Sequence, residues 1–427
     1  MTDIGDIPLT FGQLSVWRAT QALPEQRRAE ANVPRVWPVP PEVTPAQIAA
    51  AWRGLVARHD SLRTLFVPDG SHGLRQRVGK DDPGWEPIPI PLNAASPEAL
   101  WAALTDLAAE PMDLATEYGW RVGYTDRTVD GARHILVVVH HILADGWSFD
   151  QLHREFMAAL AGAPVTEPGL SPALLVEEQA KAARASRRQA AVDYVSRCLA
   201  ALPDRTASLV PDSGRRIQAE FTTPAGQRAL LALADRIGVS AQSVLLAMTA
   251  VGLHRVWEGQ EVKVMLMSAN RADQRWQPLI TSMNQGVPLP ITRALEHQTF
   301  TELARTIHGQ SLRAYCYGIY DVDAVTARLA PSGVDQFAFG SLFNFMAYDL
   351  APQPADGVER DLRSVETRRH AGPRFDIKIY STPALRLCVR VDPVLMPEDQ
   401  LHGLLNWYEC ELVRLAADPE QPLRSMP

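Results

Sequence analysis

The chain has 427 residues, of which 46% are hydrophobic and 21% charged, with a formal net charge of −7. The length exceeds what one ordinary core holds and predicts two large lobes. No apolar stretch approaches the roughly 18 residues of a membrane span, the dispersed basic residues argue against a nucleic-acid partner, and there is neither a Walker loop nor a GxGxxG for nucleotide chemistry.

In chain order, Thr44 as N-cap and Pro45 in the first turn open a helix that carries Ile48, Trp52, Leu55 and Val56 on one face. Alternation over 61–67 predicts a strand, and a helix follows from about Pro97 to Leu107. Strands are expected at Trp120–Tyr124 and His134–Val139, then a helix over Phe149–Leu160. The Pro- and Gly-rich run AGAPVTEPGLSP (161–172) is placed as the lobe junction, giving lobes of 1–171 and 172–427. The second half repeats the same grammar, which suggests an internal duplication. Helices are expected at about Ala173–Leu202, Gly226–Ile237, Ala241–Trp257 and Pro397–Ala416. Strands are expected at Ile217–Thr222, Val262–Met267, Gln336–Tyr348, Phe375–Tyr380 and Leu385–Val391. The fold class is therefore α/β.

Met1 is followed by no basic, apolar leader, so a cytoplasmic location is expected. Cys198, Cys316, Cys388 and Cys410 lack ligand spacing, so no metal is expected and the four are read as reduced core thiols. Arg184, Arg187 and Arg188 form the densest basic stretch and are read as a solvated helix face.

The stretch HILVVVHHILADGWSF (134–149) carries the chemistry. Its apolar run suits a strand buried on both faces, and alternation at its end sends His140 and His141 to opposite sides. Asp145 follows on a tight loop, and Gly146 leaves room for close approach. An imidazole takes and returns a proton near neutral pH, as acyl transfer requires. There is no GxSxG elbow, so direct transfer from a thioester to a bound nucleophile fits better than a covalent acyl-enzyme.

HHILADGWS resembles the signature of the condensation domains of nonribosomal peptide synthetases, in the chloramphenicol acetyltransferase-like superfamily. PLTFGQLSVW, with Gln13 and Trp17, resembles the opening motif, and RHDSLRTLF the second. SANR (268–271), SMNQGVPLP, FNF (343–345), FDI (375–377) and the tail ADPEQPLRSMP also follow the family's order. Two departures bear on donor and acceptor specificity: Met283-Asn284-Gln285-Gly286 stands in place of a Phe-Val-Asn-Thr pattern, and LLVEEQA in place of an aromatic-rich motif.

The resemblance implies two acetyltransferase-like lobes forming a V-shaped pseudo-dimer, with the active site in a tunnel between them. It assigns catalysis to His141. His140, Asp145 and Arg63 become structural supports, with Arg63 expected to pair with Asp145, and Gly146 and Trp147 are expected along the donor tunnel. The implied reaction joins a carrier-bound acyl or peptidyl thioester to an amine. An alcohol acceptor, an epimerisation domain or a non-catalytic recruitment domain are the alternatives. No cofactor is expected to be bound, because the substrate arrives on the phosphopantetheine of a carrier protein. A monomer is expected. No adenylation region and no carrier serine motif accompany these residues, so the segment is expected to act free-standing or within a larger synthetase.

Overall fold

The apolar run ahead of the histidine pair forms an interior strand, as its composition requires. In the computed structural model, Ile135 to Val139 are all 0% exposed. Residues 6–421 are described, apart from 71–72, 80–84, 164–166, 202–210, 258–261, 292–298, 338, 347–356, 368 and 382–383. Residues 338 and 347–348 of the expected 336–348 strand, residue 202 of the expected 173–202 helix and the last six residues of the expected tail motif lie outside the described residues.

The described chain falls into two compact units, one of Met1–Arg187 with Ala269–Asn284 and one of Arg188–Ser268 with Gln285–Pro427. The first unit contains β1 (Ile7–Pro8), α1 (Phe11–Gln21), β2 (Asn32–Val39), α2 (Pro45–Arg58), β3 (Thr64–Pro68), β4 (Leu74–Val78) and β5 (Ile88–Ile90). It continues with α3 (Pro97–Ala109), β6 (Trp120–Thr125), β7 (Arg133–His140), α4 (Gly146–Leu160) and α5 (Pro172–Ala180). Its strands form a sheet of order β2-β7-β6-β5 and a smaller one of order β1-β4-β3. One face of the larger sheet, with Trp37, Val137 and Val139, packs with Trp52 and Leu55 of α2 and Phe149, Leu152 and Phe156 of α4 in a single core. Val138 and Leu136, on the other face, meet Leu100 and Leu104 of α3.

The second unit contains α6 (Ala185–Ala201), β8 (Ile217–Thr223), α7 (Pro224–Ile237), α8 (Ala241–Val256), β9 (Val262–Ser268), β10 (Gln285–Ile291), α9 (Phe300–Tyr315) and α10 (Val322–Leu329). β11 (Ser341–Met346), β12 (Asp361–Val365), β13 (Phe375–Tyr380), β14 (Leu385–Val391) and α11 (Glu398–Ala417) follow. Among the described residues its sheet has seven strands, in the order β10-β9-β11-β13-β14-β8-β12. No single helix among the described residues is long and apolar enough to cross a membrane.

The expected junction at 171/172 lies too early. Leu175 of α5 is buried with Trp276, Leu279 and Met283, and Gln179 accepts a hydrogen bond from Phe11 N, which ties α5 to the first unit. The single helix expected over 173–202 is broken at Lys181, whose backbone is extended (ψ 134°); Glu178 holds both Lys181 and Arg184 across the break. The cysteines also differ from expectation: Cys198 is buried, but Cys316 and Cys410 are exposed.

Candidate functional site

The site is built where β7 ends. His140 N donates to Gly119 O, 2.8 Å away, and His141 N donates to Ala31 O, 2.8 Å away, so the neighbouring chain segments grip the last residues of the strand from both sides. The two rings then meet different surroundings. His140 is buried, and its Nδ1 accepts from Ile142 N at 3.2 Å. Burial, and secondarily the adjacent His141, hold its pKa down at about 3, so this ring stays neutral.

His141 is half-buried. Its Nδ1 lies 3.0 Å from Ala144 O. A carbonyl can only accept, so the proton of the neutral ring sits on Nδ1 and Nε2 is the unprotonated nitrogen. That tautomer presents a base at the far side of the ring, which is what proton abstraction from a nucleophile needs.

Asp145 caps α4: its Oδ1 accepts from Ser148 N at 2.9 Å. Gly146 is the first residue of that helix, and Trp147 is pinned by a 2.9 Å bond from its Nε1 to Gln277 O. The carboxylate is 3% exposed, and a charge so buried requires a partner. The partner is Arg271. Its Nη2 lies 3.1 Å from Oδ1 and 3.2 Å from Oδ2. The same nitrogen reaches Ser148 Oγ (2.9 Å) and Thr281 O (3.0 Å), while Nη1 donates to Trp276 O (2.7 Å) and Leu279 O (2.9 Å). Met283 N completes the shell on Oδ2 at 3.0 Å.

This overturns the expected pairing of Arg63 with Asp145. Arg63 instead bonds Asp60, three residues back on the turn between α2 and β3. That turn is local and closes without Asp145, whereas Arg271 arrives on the 269–284 segment already facing it. Sequence reasoning therefore missed Arg271, although it stood in the quoted SANR run; it also missed Ser148, Thr281 and the Met283 backbone. The departures from the family pattern have local explanations. Gln285 exchanges two bonds with the Tyr320 backbone, at 2.9 and 3.3 Å. Within LLVEEQA, Leu175 is core and Gln179 holds the start of α1.

A family model described as "Condensation domain" matches residues 3–425. Among curated relatives, the probable non-canonical nonribosomal peptide synthetase CymA of Salinispora arenicola is 28% identical over 398 residues, 88% of this chain and 5% of that protein. Phosphinothricin tripeptide synthetase PhsC of Streptomyces viridochromogenes is 30% identical over 302 residues, 65% of this chain and 27% of that protein. The chain thus spans only a small part of these relatives. Among solved structures, the first condensation domain of the calcium-dependent antibiotic synthetase, in complex with a substrate analogue, aligns with a TM-score of 0.78 at 20% identity, over 100% of this chain and 99% of that one. The X-domain in complex with OxyB from teicoplanin biosynthesis aligns with a TM-score of 0.76 at 19% identity, over 100% and 97% of the two chains.

Proposed function

Because the chain belongs to the condensation-domain family, we propose that it joins a carrier-bound acyl or peptidyl thioester to an amine, with His141 as the group that manages the proton. The observation that carries this reading is the His141 ring held through Nδ1 on Ala144 O, a bond that puts the proton on Nδ1 and makes Nε2 the basic nitrogen. The amine attacks the thioester carbonyl, and its N–C bond forms as the C–S bond breaks. His141 Nε2 takes the proton lost by the nitrogen and returns it to the departing thiolate, so the ring ends as it began. Proximity supplies much of the rate for a neutral amine.

On this reading Asp145 and Arg271 touch no substrate. They hold the loop that aims the ring, and Gly146 and Trp147 flank the path of the donor arm. No group beyond the phosphopantetheine of the carrier is called on, and carrier proteins are the partners. Intact-mass analysis of a loaded carrier incubated with the protein and a pool of amines and alcohols tests the proposal. Transfer to amines supports it, and transfer to alcohols alone makes the enzyme an ester-forming relative.

A second reading, recruitment of a protein partner without turnover, draws on the structural likeness to an X-domain described in complex with OxyB. The well-satisfied Asp145 and the fixed His141 tautomer favour catalysis, since docking alone has no use for either. Absence of transfer from every loaded donor to every acceptor would favour recruitment.

A further inference from the structure

Gly12, the second residue of α1, faces the backbone of the 269–284 segment with no side chain between them. A Cβ built there would lie 2.3 Å from Ser282 O, 2.7 Å from Met283 Cα and 2.9 Å from the Met283 carbonyl carbon. All three are backbone atoms, which cannot swing aside as a flexible side chain would. Helix α1 cannot retreat either. Phe11 N donates to Gln179 on α5 at 3.1 Å, and buried Gln13 bonds Gln76 on β4 at 3.2 Å while its Oε1 caps Thr10 N at 2.9 Å.

Ser282 O and Met283 N–H belong to one peptide unit, and in a planar trans peptide they point in opposite directions. The oxygen edge of this unit rests against Gly12. The N–H edge donates to Asp145 Oδ2 at 3.0 Å. The next carbonyl, Met283 O, is held by Asn270 Nδ2 at 2.8 Å, from a residue in the left-handed region (φ 57°). Asp145 in turn follows directly on Ala144, whose carbonyl fixes His141.

We propose that the Ser282–Met283 peptide, seated on Gly12 and latched by Asn270, is a positioning device for the His141 loop, so that Gly12 and Asn270 are positioning residues for the reaction. A Cβ at position 12 displaces this peptide by about 1 Å, the scale of misplacement that costs on the order of 100-fold in rate. The inference rests on the catalytic role proposed for His141, so its test carries a readout independent of turnover.

The full chain is labelled with 15N-methionine and, separately, with ring-15N histidine, and Met283 is assigned through its loss in Met283→Leu. In Gly12→Ala the Met283 amide moves away from its carboxylate-bound shift and exchanges faster, the His141 ring nitrogens lose their single-tautomer signature, and kcat for amide transfer falls about 10–100-fold with KM changed less than about 3-fold. Gly309→Ala, in α9 with nothing within 4 Å of the new Cβ, leaves all of these unchanged. Asn270→Gly keeps the left-handed turn but removes the bond to Met283 O, and is expected to show the same changes more weakly. It decides the matter if Gly12→Ala does not fold. Unchanged kcat in a folded variant whose Met283 amide has moved overturns the proposal, as does a loss of kcat with the Met283 and His141 signals unmoved. If the wild type turns over no acceptor, the functional reading fails separately, and His141 nitrogens that ignore a displaced Met283 amide overturn the positioning role.

Discussion

Removing the His141 imidazole takes away the proposed base without opening the core, because the ring is half-buried and its bond to Ala144 is local. His141→Ala is expected to lose about 10²–10⁴-fold in turnover with an unchanged melting temperature, as steady-state kinetics and a thermal scan would show. His140 makes the opposite demand. Its folded pKa of about 3 lies below the ordinary value of 6.5, so between those values the unfolded chain binds a proton that the folded one refuses. Its contribution to stability is full above pH 6.5 and declines as pH falls toward 3, by on the order of 2 kcal/mol at pH 5. Urea unfolding at pH 7 and 5 should show that loss in the wild type and a flatter response in His140→Asn; equal slopes would mean the ring is not desolvated. Arg271 and Asp145 are 2% and 3% exposed as side chains, and truncating either alone is expected to cost about 3–5 kcal/mol. A double-mutant cycle should give strong coupling for this pair and additivity for Arg63 with Asp145. The sequence made the histidines, Asp145 and Gly146 legible because a charged and imidazole-rich turn after an apolar strand has few bland explanations. It could not choose between Arg63 and Arg271, because both stood in motifs and the choice depends on which guanidinium the folded backbone brings to the carboxylate.

Among the elements, apolar periodicity located α2, α3, β6, β7, α7 and α8 to within a few residues, since each has one buried stripe or an unbroken buried run. β2 and β10 were not seen. They carry Pro34, Pro38, Pro288 and Pro290, which read as breakers, yet both lie at sheet edges, where a missing N–H costs no ladder bond. Helix α4 holds a further conflict. Burial pushes Asp150 up to about 6 against the opposing pull of Arg35 and Arg154, and Asp145 adds to the rise. Its Oδ2 is buried without a hydrogen-bond partner. Here the folded pKa lies above the unfolded one, so the stabilising balance holds below about pH 3.8 and is lost as pH rises through 6. Asp150→Asn should therefore stabilise the protein at pH 8 by up to about 1 kcal/mol and have little effect at pH 4. A variant less stable than the wild type at pH 8 would show that the carboxylate is paired in solution.

At the scale of the whole molecule, the expectation of two α/β lobes matches two compact units. Their sheets differ, however: among the described residues the first unit divides its strands between sheets of four and three, while the second joins seven in one. The boundary could not be read from composition, because the Pro- and Gly-rich run at 161–172 only connects α4 to α5 inside one unit, and the true passage lies within the regular helix α6. Nor could any linear reading show that residues 269–284 leave the second unit to complete the first. That excursion sets a clock on biosynthesis. Arg271 follows Asp145 by 126 residues, an interval of roughly 6–25 s at ordinary elongation rates. Throughout it the nascent chain holds the residues of β7 and α4 without the Arg271 guanidinium that pairs with Asp145 in the folded protein. The contacts that Arg271 and Met283 N make to Asp145 cannot form until β9 has been made and the segment beyond it has left the ribosome, so the shell around this carboxylate is among the last parts of the first unit to be completed.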